Sequence, residues 1–125
     1  MRNISFAWTT PALLAGRKTV TRREWNDDYA RSFREGDLVA AYDRQPRFKG
    51  KQIGVIRLTE KPCFTDALPE QDWEGEGFEY LTSIGATVNK FTPRQMWESW
   101  RTERPKLWVV RFEVVELTPE STKEG

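Results

Sequence analysis

The chain has 125 residues, 38% of them hydrophobic and 31% charged, with 20 Lys/Arg against 19 Asp/Glu, one cysteine and no histidine. That length suffices for one core without metal or disulfide staples, while the lone Cys63 excludes an intramolecular disulfide and leaves a structural zinc without enough ligands. The missing histidine removes Ser-His and Cys-His nucleophile pairs; with no apolar run of membrane-spanning length and no signal-peptide pattern, a cytoplasmic protein without metal, cofactor or membrane partner is expected.

Asn3 to Trp8 alternates, with Ile4, Phe6 and Trp8 on one face, and predicts a half-buried strand. Thr10 is placed to cap a helix start. Pro11 suits its first turn, lacking the N–H that has no partner there, and Ala12 to Ala15 form an apolar turn that Gly16 ends. Arg17, Lys18, Arg22 and Arg23 follow without an acid, around the β-branched Thr19, Val20 and Thr21. A strand over 19–23 puts Thr19, Thr21 and Arg23 on one face, Val20 and Arg22 on the other. Trp25, Tyr29 and Phe33 recur every four residues and predict a helix over 26–34. Gly36-Asp37 turns the chain into a strand over 38–43, with Leu38, Ala40 and Tyr42 on one side.

Arg44 to Lys51 is a second stretch with four cations and no acid, marked by Pro46 and Gly50 as a loop or hairpin connection. A strand over 53–59 faces the core with Ile56 and Leu58 and ends at Lys61-Pro62. Residues 66–79 hold six carboxylates and no cation; a loop with a helical turn over 68–73 is predicted, kept pliable by Gly75 and Gly77. Residues 80–90 show no pattern that assigns them. The clearest helix runs over 91–105: Thr92 and Gln95 make a capping box, Pro93 takes the first turn, Phe91 and Met96 form a staple, and Pro105 blocks continuation. Arg101 and Arg104 suit the negative end of its dipole. A last strand over 107–117 turns Trp108, Val110, Phe112 and Val114 to the core, leaving 118–125 as a polar, disordered tail.

Short strands interspersed with a few helices point to the α+β class. The architecture expected is a small mixed β-barrel over 1–117, one domain with covering helices at its open ends. Charge is uneven: residues 1–60 carry 12 Lys/Arg against 7 Asp/Glu, and residues 61–125 carry 8 against 12. A basic half can present a positive surface to phosphate. The helix exit at Gly16 feeding a basic, hydroxyl-bearing strand is a place to hold an anion or a polarised carbonyl; the alternative is a solvated strand edge that discourages aggregation.

The ordered set I-S-F-A-W, L-L-A-G-R-K-T-V-T-R-R, F-R-E-G-D-L-V, G-K-Q-I-G-V-I-R-L, E-G-E-G-F and L-W-V-V-R-F-E-V resembles the ASCH domain family, of the PUA-like superfamily of small β-barrels associated with RNA. The resemblance spans about Ile4 to Glu116. A-G-R-K-T-V-T-R-R looks like the motif of an ASCH subgroup that hydrolyses the acetyl amide of N-acetylated cytidine with a lysine, a threonine and a glutamate. It implies Lys18 and Thr21 for the first two and Arg23 for the motif's arginine. Glu76, before Gly77-Phe78, is the match for the glutamate, with Glu74 as the alternative.

Amide hydrolysis needs a nucleophile, a proton acceptor and stabilisation of an oxyanion. Without histidine, neutral Lys18 is the reasonable base for Thr21; nearby arginines and burial lower its pKa, and Glu76 serves as acid toward the departing amine. In an ideal strand Lys18 and Thr21 point to opposite faces, so the trio requires a bend between Gly16 and Thr19. Two other readings stand beside this one. A non-catalytic module would grip RNA phosphates with Arg17, Lys18, Arg22, Arg23, Arg44, Arg47, Lys49 and Lys51 and stack an unpaired base on Trp8, Trp25 or Tyr42. A metal-independent ribonuclease would use Lys18 and Glu76 as base and acid on a 2′-hydroxyl. The partner is accordingly RNA or a modified nucleoside, and the sequence sets no oligomeric state.

Overall fold

A computed structural model describes residues 1–117; the predicted tail 118–125 lies outside the described residues. Strands β1 (Asn3–Ser5), β2 (Val20–Arg23), β3 (Leu38–Tyr42), β4 (Gln52–Leu58), β5 (Cys63–Thr65) and β6 (Leu107–Leu117) form one sheet in the order β1-β3-β4-β6-β2, with β5 also on β6. Only the β1–β3 pair is parallel; the others are antiparallel. The sheet curls strongly into a half-barrel, consistent with a small PUA-like barrel in a mixed α+β fold. No helix among the described residues is long and apolar enough to cross a membrane.

Alternation along the strands fills the concave side. Ile4, Phe6, Val39, Ala41, Ile53, Ile56, Leu58, Val110 and Phe112 form one core with Leu13 and Phe33. On β3 the core face is therefore Val39 and Ala41, while Leu38 is exposed. A second cluster joins α1 (Thr10–Leu14) to α4 (Phe78–Ser83) and α5 (Pro93–Glu103) through Ala12, Phe78, Leu81 and Trp97. The short helices α2 (Asp27–Arg31) and α3 (Asp72–Gly75) complete the elements. The capping box at Thr92 and Gln95 is present, and Arg104 closes α5 in the left-handed conformation before Pro105.

Several local expectations are corrected. The first strand ends at Ser5, because the chain enters a 3₁₀ turn over Ala7–Thr9 that takes Trp8 off the core face and leaves it 54% exposed. Thr10 is inside the helix rather than capping it, and its buried Oγ1 has no hydrogen-bond partner. The aromatic stripe is real, with Trp25 stacked on Phe33 at 4.9 Å and Tyr29 edge-on to both, but α2 itself is only five residues. Phe91 is half-exposed, and its backbone bridges Val88. β5 and α4 fall in segments predicted as loop or left unassigned.

The two glycines of the acidic connection are close-approach positions, not sources of pliability. A Cβ on Gly75 meets Val20 Cγ1 at 2.9 Å, and one on Gly77 meets Ala12 Cβ at 2.5 Å. Gly77 also has φ near +90°, a conformation that side chains resist. Gly77→Ala is expected to lose about 2–4 kcal/mol from strain plus overpacking, read as a lower urea midpoint with unchanged slope.

Candidate functional site

The site starts from the way α1 ends. Gly16 takes φ +71°, its N–H donates to Leu13 O at 3.0 Å, and the Arg17 N–H donates to Ala12 O at 2.8 Å. This paired closure satisfies the last carbonyls and turns the chain sharply. Thr19 then spans two elements, donating to Gly75 O at 2.7 Å and accepting from Phe112 N at 2.9 Å. Lys18 lies in this irregular link before β2, so strand alternation does not govern it. The required bend exists: Lys18 and Thr21 line the same pocket, together with Glu76.

That pocket, about 270 Å³, is lined by Ser5 of β1 and by Thr21, Arg22 and Arg23 of β2, the strands at the two ends of the sheet path. Phe6, Trp8, Phe78, Met96 and Trp100 supply apolar walls; Lys18, Thr21, Arg22, Arg23 and Glu76 supply the polar groups. This mixture is typical of small-ligand sites. Arg22 reaches the pocket as well as Thr21 and Arg23, despite its alternate position on β2, and its guanidinium lies 5.7 Å from the Trp100 ring.

Beneath the pocket runs a chain of buried charges. Lys18 is 1% exposed and its Nζ donates to Glu76 O at 2.8 Å and Glu76 Oε1 at 3.1 Å. Arg22 donates to Glu76 Oε2 at 2.7 Å and to Asp72 Oδ2 at 2.6 Å. Arg111 closes the far end with two 2.9 Å bonds to Asp72. Glu76 and Asp72 are one helical turn apart on either end of α3, and the Glu76 N–H donates to Asp72 O at 2.8 Å. Arg23 stands apart: its Nε donates to Thr21 Oγ1 at 3.1 Å, and it has no carboxylate partner among the described residues.

These surroundings shift proton affinities. Burial dominates at Lys18 and pushes its ammonium below the ordinary 10.5; Glu76 pulls it up, and Arg23 and Arg22 push it further down. Burial likewise lowers Arg23, against the pull of Glu76. At Asp72 burial pushes the carboxyl up, but the hydrogen bonds and charges of Arg111 and Arg22 together outweigh it and hold it below its ordinary value. Arg111 is raised in return, chiefly by its bond to Asp72.

The other predicted residues divide. Glu74 is on the outside, 3.4 Å from Arg17, and both are exposed, so Glu76 is the glutamate of the pocket. Trp25 and Arg47 line a neighbouring cavity of about 300 Å³ that shares Ser5 and Arg23 with the first. Tyr42 and Arg44 line neither; the Tyr42 carbonyl accepts from Phe6 N at 2.8 Å, which is a strand role. Lys49 closes the β3–β4 turn in the left-handed conformation, and Lys51 donates its N–H to Asp43. Asp72, Arg111 and the Trp100 wall were not anticipated. The four-residue step from Asp72 to Glu76 was the available signal for the first. The described residues contain no group of three or more His, Cys, Asp or Glu placed to hold a metal.

Comparison with family models and with curated proteins finds no match. Among solved structures, the chain is similar to protein EF3133 from Enterococcus faecalis V583, described by the family-model DUF984. The TM-score is 0.58 at 17% identity, covering 95% of this chain and 83% of that one. At that identity the likeness carries the fold, and a PUA-like barrel of the ASCH kind is compatible with it.

Proposed function

We propose that this chain is an ASCH-type amidohydrolase that removes the acyl group from N-acetylated cytidine, with Thr21 as nucleophile, Lys18 as base and Glu76 as proton carrier. The observation that supports it most is the burial and hydrogen bonding of Lys18. A neutral amine has two N–H groups and one lone pair. Both N–H groups are used by Glu76 O and Oε1, so a deprotonated Lys18 keeps its lone pair free for a proton. Burial, helped by Arg23 and Arg22, lowers the Lys18 pKa against the opposing pull of Glu76.

Thr21 Oγ attacks the acyl carbonyl carbon while its proton passes to Lys18 Nζ. Arg23, already bonded to Thr21 Oγ1 and without a carboxylate partner among the described residues, stabilises the oxyanion with its remaining N–H groups. The proton moves from Lys18 along its 3.1 Å bond to Glu76 and on to the departing cytosine amine as the C–N bond breaks. Water then hydrolyses the acyl-Thr21 ester, with Lys18 again taking the proton, to release acetate and free Thr21. The apolar walls accept a planar base and limit water around the reacting groups.

Incubation with N-acetylcytidine is expected to yield cytidine and acetate. Thr21→Ala abolishes the reaction and Thr21→Ser retains part of it, read by chromatography. No turnover at high enzyme concentration overturns the reading. RNA binding without turnover would then favour the non-catalytic module, and RNA cleavage in chelator, lost in Glu76→Ala, the ribonuclease.

A further inference from the structure

The second cavity has a composition of its own. Arg23 and Arg47 line it together with Asn3, Gln45, Tyr29 and Trp25, and no carboxylate is among the residues lining it. Arg47 is held out on the 3₁₀ turn Pro46–Phe48 between β3 and β4, its guanidinium 4.9 Å from the Phe48 ring. Neither Arg23 nor Arg47 has an ion-pair partner among the described residues. Arg47 is exposed, but Arg23 is part-buried; an unpaired cation withdrawn from water is costly, and a bound anion removes that cost. The neighbouring chain of charges leans the same way: Lys18, Arg22 and Arg111 share the two carboxylates Glu76 and Asp72, and Arg23 pairs with neither.

Position says what kind of anion fits. Arg23 and Ser5 belong to both cavities, so the two adjoin at these residues. A group bound between Arg23 and Arg47 therefore lies next to whatever fills the Lys18 pocket. Arginine forks match phosphate oxygens, while Asn3, Gln45 and the Tyr29 hydroxyl are of the type that bonds to sugar hydroxyls or phosphate. Trp25, one side stacked on Phe33, adds an aromatic surface at the same place.

We propose that the Arg23–Arg47 cavity is a phosphate subsite, and that the substrate is a phosphorylated nucleoside or an RNA nucleotide rather than a free nucleoside. This rests on the Lys18 pocket being the base-binding site. The phosphate can stand on either the 5′ or the 3′ side of the base, and the ligands of the test separate the two.

Calorimetric titration of the whole protein with cytidine, cytidine 5′-monophosphate and cytidine 3′-monophosphate tests the subsite without turnover. At least one monophosphate is expected to bind about tenfold tighter than cytidine. Arg47→Ala removes most of that gain, Arg47→Lys keeps part of it, and the gain shrinks with added salt. The same monophosphate with its base acetylated should be deacylated with a higher kcat/KM than the acetylated nucleoside, and Arg47→Ala should lower that ratio toward one. The subsite is overturned if both monophosphates bind no tighter than cytidine, or if the gain survives Arg47→Ala. Arg47-dependent binding with no deacylation of any ligand keeps the subsite and removes the amidohydrolase reading. Deacylation with no preference for phosphate does the reverse.

Discussion

Replacing Lys18 with alanine lowers kcat/KM for the acylated nucleoside by about 10²–10⁴-fold, the usual contribution of a positioned acid–base group. Lys18→Arg is expected to be as inactive, because a guanidinium cannot give up its proton to become a base. The wild-type pH profile carries the same information. Burial lowers the Lys18 pKa, so the neutral amine forms below pH 10.5, and kcat/KM rises with pH through that lowered value to a plateau. Glu76 keeps Arg22 as its partner when Lys18 is removed, so circular dichroism should show the Lys18→Ala fold intact. Full activity in Lys18→Arg, or a flat profile in which Lys18→Ala and wild type run parallel, would exclude the amine as base.

The second large effect is on stability. Asp72→Ala strips the shared carboxylate from Arg22, whose side chain is 3% exposed, and from Arg111. Removing one partner from a buried ion pair costs about 3–5 kcal/mol. The lower end is expected here, because Arg111 is 33% exposed and water can replace its partner. Urea unfolding at pH 7 measures it, and Asp72→Asn, which retains an acceptor oxygen, should lose less. The difference between wild type and Asp72→Asn has a defined pH dependence. The folded Asp72 pKa lies below its ordinary 3.8, so its charge contributes fully above the unfolded value and is lost as pH falls through the folded one. The two proteins should converge at the acid end of the titration; a gap that stays constant from pH 7 down to the acid-unfolded state would mean that the charge of Asp72 contributes nothing.

What the sequence revealed, and what it did not, follows from the range of the interactions involved. β6 was legible because Val110, Phe112 and Val114 keep a period of two. The end of α5 and its capping box were legible because every signal lies within a few residues of Thr92 and Pro105. β5 was not, since Cys63–Thr65 becomes a strand by pairing with Leu107–Val109 and has almost no pattern of its own. α4 escaped for a similar reason: Phe78 and Leu81 are helical partly because Ala12 and Trp97 cover them. At the site, Lys18, Thr21 and Glu76 were proposed through resemblance, and strand alternation argued against the first two meeting. The link between Gly16 and β2 resolved that. Asp72 and Arg111, 39 residues apart, could be joined only by the fold. Gly75 and Gly77 read as flexible because a sequence records the freedom of a glycine and not the neighbour that occupies its missing side chain.

The position of β2 at the end of the sheet has a consequence for how the molecule is made. β1 can find its partner once Leu38–Tyr42 has been synthesised, but β2 pairs with Trp108–Arg111, more than 80 residues downstream. Bringing such distant segments together exacts a loop-closure entropy that local pairs avoid, and contacts of this kind form late. A ribosome-bound chain that stops before Leu107 already contains Lys18, Thr21 and Glu76, yet lacks the strand whose ladder pairs with the one presenting Thr21. The two walls of one pocket thus mature at opposite ends of synthesis, and the pocket closes only when the last strand arrives.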